Sequence, residues 1–162
     1  MNQTELQNTL QGIFPNAITF SQEPSDMLVV EVDAKTLLPL VEVLNSDYGF
    51  AFLVDICGIH YPEREKELGA IYQLLNMQNN TRIRIKVFVS KNNPNIPTLC
   101  EIYSGANWME RETFDFYGIH FVDHPNLKRI LNVEYLDYFP LRKEYPLEDQ
   151  TREDKDNSFF GR

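Results

Sequence analysis

Residues Arg82–Val89 read RIRIKVFV. Ile83, Ile85, Val87 and Val89 share one face of an extended chain, and Arg82, Arg84 and Lys86 share the other. That period of two predicts a strand with one face on a core and the other wet or covered by a partner. Upstream, GAIYQLLNM (69–77) and FAFLVDICGI (50–59) are apolar and strand-like, separated by the charged PEREKE (62–67). Three strands are therefore expected in succession.

Before them, TLLPLVEVLNSDYG (36–49) places Leu37, Leu40, Val41 and Leu44 on one helical stripe. Pro39 fits if Thr36 caps this helix, because first-turn amides have no intrahelical acceptor to lose. Gly49 suits its end. AITFSQ (17–22) and MLVVEV (27–32), joined by the polar EPSD (23–26), predict a hairpin. Leu6, Leu10 and Ile13 predict a short amphipathic helix stopping near Pro15.

The order helix–two strands–helix–three strands predicts an α+β fold: a single domain with a two-layer α/β sheet. Downstream, Thr98 and Glu101 have capping-box spacing. They predict a helical segment over 98–117, kinked or restarted at Ser104-Gly105 and closed by Gly118. Pro125, Pro140 and Pro146 then predict an extended C-terminal arm. The expected organisation is a core over 1–121, including the 98–117 helical segment, and a docking arm over 122–162.

The chain has 162 residues, enough to bury a core without disulfide or metal. Its net charge of −9 argues against nucleic acid and against docking on anionic lipid, both of which need a basic face. A basic protein partner stays open. Cys57 and Cys100 form no C-x-x-C pair, so no zinc or iron–sulfur pattern is present, and two reduced thiols are expected. MNQTELQNTL lacks the basic start and apolar core of a signal peptide, so the chain is expected to stay where it is made.

WMERETFDFYGIHFVDHPNLKRIL, Trp108–Leu131, packs acids, bases, aromatics and two histidines into one stretch. Ala106, Met109, Thr113 and Phe116 would face the sheet, with Glu110, Arg111, Glu112 and Asp115 around the rest. Arg111 and Asp115 are spaced to pair along a helix. Spacing alone leaves this face either solvated or partner-covered. His120 and His124 have a metal spacing only if helical, and Gly118 and Pro125 oppose a helix there. The expectation is a histidine donating to a carbonyl or carboxylate. Glu112 and His124 could serve an acid–base hydrolase, but no nucleophile elbow or nucleotide-binding loop accompanies them. In YFPLRKEYPLEDQTRE (138–153), Leu141, Tyr145 and Leu147 could anchor in pockets while Arg142 and Lys143 pair with acids. Proline lowers the entropic cost of docking such an arm.

ERETFDFYGIHFVDHPNLKRIL followed by PLRKEYPL closely resembles the thirty-kilodalton family of respiratory complex I, the C-subunits of NADH:quinone oxidoreductases. The resemblance rests on Glu110-Arg111-Glu112, Asp115, Gly118, His124-Pro125, Lys128-Arg129-Ile130 and Pro140-Leu141-Arg142-Lys143. The chain differs from many members in having Asp123 before His124, Lys128 in place of arginine, and Phe139 where histidine is common.

The resemblance implies a structural subunit of the hydrophilic arm with no catalytic, cofactor-binding or metal residues of its own. FMN, iron–sulfur clusters and quinone would belong to partner subunits. Its partners would be the large D-subunit, which helps form the quinone site, and other subunits of the hydrophilic arm. Membrane contact would come only through the complex, on the cytoplasmic face of the bacterial cell membrane. Interface roles would fall on Glu110, Arg111, Glu112, Asp115, His124, Lys128, Arg129, Leu141, Arg142, Lys143 and Tyr145. Related chains of membrane-bound hydrogenases and deazaflavin dehydrogenases are the alternative hosts.

Overall fold

The alternation at Arg82–Val89 becomes the middle of a sheet in a computed structural model, which describes residues 3–21 and 27–145. The elements of the first part are α1 (Gln3–Ile13), β1 (Ile18–Ser21), β2 (Leu28–Val32), α2 (Ala34–Ser46), β3 (Phe52–His60), β4 (Leu68–Asn76) and β5 (Thr81–Val89). The sheet order is β1-β2-β5-β4-β3, with β2 parallel to β5 and every other neighbour antiparallel. Register places Val30 and Tyr72 on either side of Ile85, and Leu28 and Leu74 on either side of Ile83. All of these are buried, so one continuous apolar face meets the helices. The opposite face keeps its charges: Lys86 lies opposite Glu31, and Arg64 reaches Glu31 at 3.6 Å while covering the Phe88 ring at 4.2 Å.

The predicted α+β, two-layer arrangement is thus the observed one, with local corrections. In α1, Leu6 and Leu10 are fully buried but Ile13 is 44% exposed; Phe14 packs on the core instead. Thr36 does not cap α2. The helix begins at Ala34 with Asp33 as its N-cap residue, and the Asp33 carboxylate engages Lys66 rather than the helix amides. Pro39 consequently lies inside the helix, where the Lys35 carbonyl loses its usual donor. Burial of Leu37, Leu40, Val41 and Leu44 offsets that loss. The helix ends at Ser46, and Gly49, at φ 68°, turns the chain so that the Phe50 amide donates to the Leu44 carbonyl at 2.9 Å. The link EPSD lies outside the described residues.

The helix expected from Thr98 is not formed over its first half. Residues 98–105 are turns and irregular backbone, and α3 (Ala106–Tyr117) starts only after Gly105. The Thr98 amide is taken by the Val122 carbonyl at 3.0 Å, because a short parallel pair forms here: β6 (Asn95–Pro97) with β7 (His120–Val122). This pair joins segments far apart in sequence, and no local pattern announced it. β7 runs across the boundary expected at 121/122. Beyond it the chain has no regular element as far as Tyr145, and it lies along α3. Among the described residues, no helix is long and apolar enough to cross a membrane.

Candidate functional site: the junction of α3 and the arm

α3 carries Glu110, Arg111, Glu112 and Asp115, and two of these acids are fully buried: Glu110 and Asp115. A solvated helix face is therefore excluded for both.

Asp115 is the hub. Its Oδ2 accepts the successive amides of Ile130 (3.1 Å), Leu131 (2.8 Å) and Asn132 (2.8 Å). Its Oδ1 accepts Arg129 Nη1 at 2.7 Å and the Asn132 side-chain amide at 3.1 Å. Burial would raise this carboxyl, but the Asn132 amide, the Arg129 guanidinium and the Leu131 and Ile130 amides outweigh it. They hold Asp115 well below the usual carboxylate range. Arg129 also binds the carbonyls of Asp115 (2.8 Å), Leu136 (2.7 Å) and Tyr138 (3.1 Å). The expected Arg111–Asp115 pair does not form; Arg111 instead donates to the carbonyls of Lys128 and Arg129, both at 3.1 Å. A guanidinium here ties down backbone that no helix or sheet satisfies.

Arg142 secures the far end of the arm. Its Nε donates to the Tyr117 carbonyl at 2.7 Å, and its guanidinium lies 4.5 Å from the Phe139 ring centre. Arg129 approaches the same ring at 5.1 Å, and Phe114 meets it edge-on at 6.2 Å. Phe139 thus provides a cation–π partner for both arginines. The Leu141 amide donates to the Phe116 carbonyl (3.2 Å) and the Lys143 amide to His60 Nδ1 (3.0 Å). Glu144 pairs with Lys91 at 2.7 Å.

Glu110 faces the other way. It accepts the Leu99 amide at 2.7 Å and the Thr98 hydroxyl at 2.5 Å. Burial raises this carboxyl, while Thr98, Leu99 and Cys100 oppose the rise. A native carboxyl that holds its proton more tightly than the unfolded one contributes most stability below the ordinary 4.5. That contribution is lost as pH rises through the native value. Glu110→Gln keeps an acceptor for Leu99 and removes the charge, so its unfolding midpoint at neutral pH is expected to equal or exceed that of the wild type. Glu110→Ala, which strands the Leu99 amide, is expected to lose about 1–3 kcal/mol in the same denaturant titration.

Cys100, Glu110 and His124 bring ligand-type atoms within 4.8 Å of one another. The Asn126 amide donates to His124 Nδ1 at 3.0 Å, so Nε2 carries the proton and donates it to the Asn107 carbonyl at 3.1 Å. Burial pushes the Cys100 thiol up to about 11, and it points to Glu110 at 3.6 Å. Each donor atom is engaged: Cys100 with Glu110, Glu110 also with Thr98 and Leu99, and His124 separately with Asn107 and Asn126. Glu112 lies apart, on a cleft of about 300 Å³ with Asp55, Cys57, Gly58, Tyr117 and Leu141, and His124 does not line it. The acid–base pairing of Glu112 with His124 therefore does not share this cleft.

Of the interface candidates, Glu110, Arg111, Asp115, His124, Arg129 and Arg142 have partners within the chain, while Glu112, Lys128, Leu141, Lys143 and Tyr145 are exposed. Leu147 lies outside the described residues. Sequence reasoning missed Asn107, Asn132, the bridging role of Phe139 and the hydrogen bond from Thr98 to Glu110. Each acts through at least one contact across the fold: Thr98 with Glu110, Asn107 with His124, Asn132 with Asp115, and Phe139 with Phe114.

Residues 30–151 match the family described as the 30 Kd subunit of respiratory-chain NADH dehydrogenase. The chain belongs to that family. A NADH-quinone oxidoreductase C-subunit of Rhizobium etli (strain CIAT 652) is 41% identical over 145 residues, 88% of this chain and 72% of that protein. The C-subunit of the same enzyme from Hyphomonas neptunium is 36% identical over 146 residues, 89% of this chain and 72% of its own. Among solved structures, a trypsin-resistant fragment of Nqo5 superposes with a TM-score of 0.68 at 25% identity, over 75% of this chain and 98% of the fragment. A chain of an archaeal membrane-bound sulfane sulfur reductase shares the fold, with a TM-score of 0.76 at 20% identity, over 94% of this chain and 96% of that one.

Proposed function

We propose that this chain is a structural subunit, bearing no cofactor, of the hydrophilic arm of a proton-translocating NADH:quinone oxidoreductase, and that its arm supports the quinone-site D-subunit. Flavin, iron–sulfur clusters and quinone are held by neighbours, and the isolated chain has no turnover. The complex lies on the cytoplasmic face of the membrane. The observation that carries the reading is the division of labour at the junction. Buried Asp115, Arg129 and Arg142 hold the arm to α3 through main-chain groups, leaving Lys128, Leu141, Lys143 and Tyr145 exposed for a neighbour. Glu110, Arg111 and His124 act as positioning residues behind that surface, and Glu112 lies on the cleft beside it.

Lys143→Glu reverses an exposed charge, so the stability of the chain should change by no more than about 0.5 kcal/mol. Co-purification of the quinone-site partner from solubilised membranes, and quinone reductase activity of those membranes, are expected to fall. Unchanged assembly and activity would remove the arm from the interface. The relatives matched over most of this chain carry the NADH-quinone name, which favours this host over a hydrogenase or deazaflavin dehydrogenase; the archaeal sulfane sulfur reductase chain supports the fold alone.

A further inference from the structure

Asp115 and Arg129 grip one stretch of the arm from behind. Asp115 takes the amides of Leu131 and Asn132, and Arg129 takes the carbonyls of Leu136 and Tyr138. Between these anchor points the Leu136 amide donates to the Val133 carbonyl at 3.1 Å. Both ends of the stretch are thus fastened through the main chain, and its large side chains are spared for other use. Leu131 is 66% exposed, Val133 48% and Tyr135 87%. Large apolar groups held outward on a fastened backbone gain nothing for this fold, and they match the composition of interface anchors. The charges among them are only acids, Glu134 and Asp137, both exposed.

We infer that Leu131–Tyr138 is a preformed docking knob for a neighbouring polypeptide that presents an apolar pocket rimmed by lysine or arginine. The inference deepens the subunit reading above and rests on it. An anionic lipid surface is disfavoured by the two acids. A second copy of this chain is disfavoured because like acids would meet in a molecule of net charge −9. Fastening the backbone beforehand removes an ordering cost that a free loop would bear on binding.

The test uses the full-length tagged chain, produced in its own cells and recovered with its complex from solubilised membranes. Leu131→Ala/Tyr135→Ala is expected to lower recovery of the NADH-quinone oxidoreductase subunits by at least about thirtyfold, the effect of losing even one of its two anchor side chains. The unfolding midpoint of the purified chain should not move. Met77→Ala removes a 72%-exposed side chain at the turn between β4 and β5 and should change nothing. Glu134→Lys/Asp137→Lys should also lower recovery, and a photo-crosslinker at position 135 should label a partner segment containing lysine or arginine. If wild type recovers the subunits and the Leu131/Tyr135 variant recovers them equally, the knob is refuted and the subunit reading stands. If the acid-to-lysine variant binds as well or better, the basic rim is refuted. If wild type recovers none of those subunits, the subunit reading falls and takes this inference with it.

Discussion

Asp115→Ala is expected to destabilise the protein by about 3–5 kcal/mol, the range for removing one partner of a buried ion pair. Arg129 stays buried at 8% side-chain exposure, and its carboxylate is gone. The amides of Ile130, Leu131 and Asn132 lose their common acceptor at the same time. Because these groups belong to the arm, the loss falls on the contact between the arm and α3. Denaturant unfolding measures the total, and limited proteolysis after Arg129 reports where it falls. Cleavage should accelerate in the variant while the sheet keeps its protection. A variant within about 1 kcal/mol of wild type would mean that the arm is held by something else.

The same contact has a defined pH dependence. Asp115 titrates lower in the folded protein than its ordinary 3.8, so the folded state binds fewer protons there than the unfolded state. Its contribution is complete above the ordinary value and is lost as pH falls toward the depressed native one. Acid should therefore detach the arm from below pH ~4 downward, whereas the stability lost through Glu110 appears on the alkaline side of its own ordinary value. Asp115→Asn should flatten the acid limb and leave the other untouched.

Gly118→Val is the second large effect, expected to cost about 3 kcal/mol from left-handed backbone strain of about 1–2 together with overpacking of about 1–3. Gly118 has φ 72°, and a Cβ there would lie 2.5 Å from the Phe139 ring and 2.6 Å from Arg142 Nη2. Both contacts belong to the cluster that fastens the arm. The substitution should thus weaken the Arg142–Tyr117 hydrogen bond and lower co-assembly as well as stability. Gly118→Ala should show the same direction at smaller size, and a series in which alanine and valine are both neutral would contradict the geometry.

How far these features were readable from the chain depends on how local their causes are. β5 was legible because alternation in Ile83, Ile85 and Val87 repeats within one strand, and α2 because its stripe repeats within one helix. Gly118 was legible as a helix end because a left-handed cap needs glycine whatever surrounds it. The capping box at Thr98 and Glu101 was a local pattern overruled from afar. Glu110 and the Val122 carbonyl took the Thr98 hydroxyl and amide, and the predicted first half of the helix gave way to turns and irregular backbone.

The sequence by itself determined the α+β order, the buried face of the Arg82–Val89 strand, and the family resemblance carried by Glu110-Arg111-Glu112 and Pro140-Leu141-Arg142-Lys143. Tertiary structure alone decided that Asp115 pairs with Arg129 rather than Arg111, that β6 and β7 join, and that Leu131, Val133 and Tyr135 face outward. The reason is physical. Periodicity and caps act within a few residues, whereas a buried carboxylate is satisfied by whichever donors the folded chain brings to it.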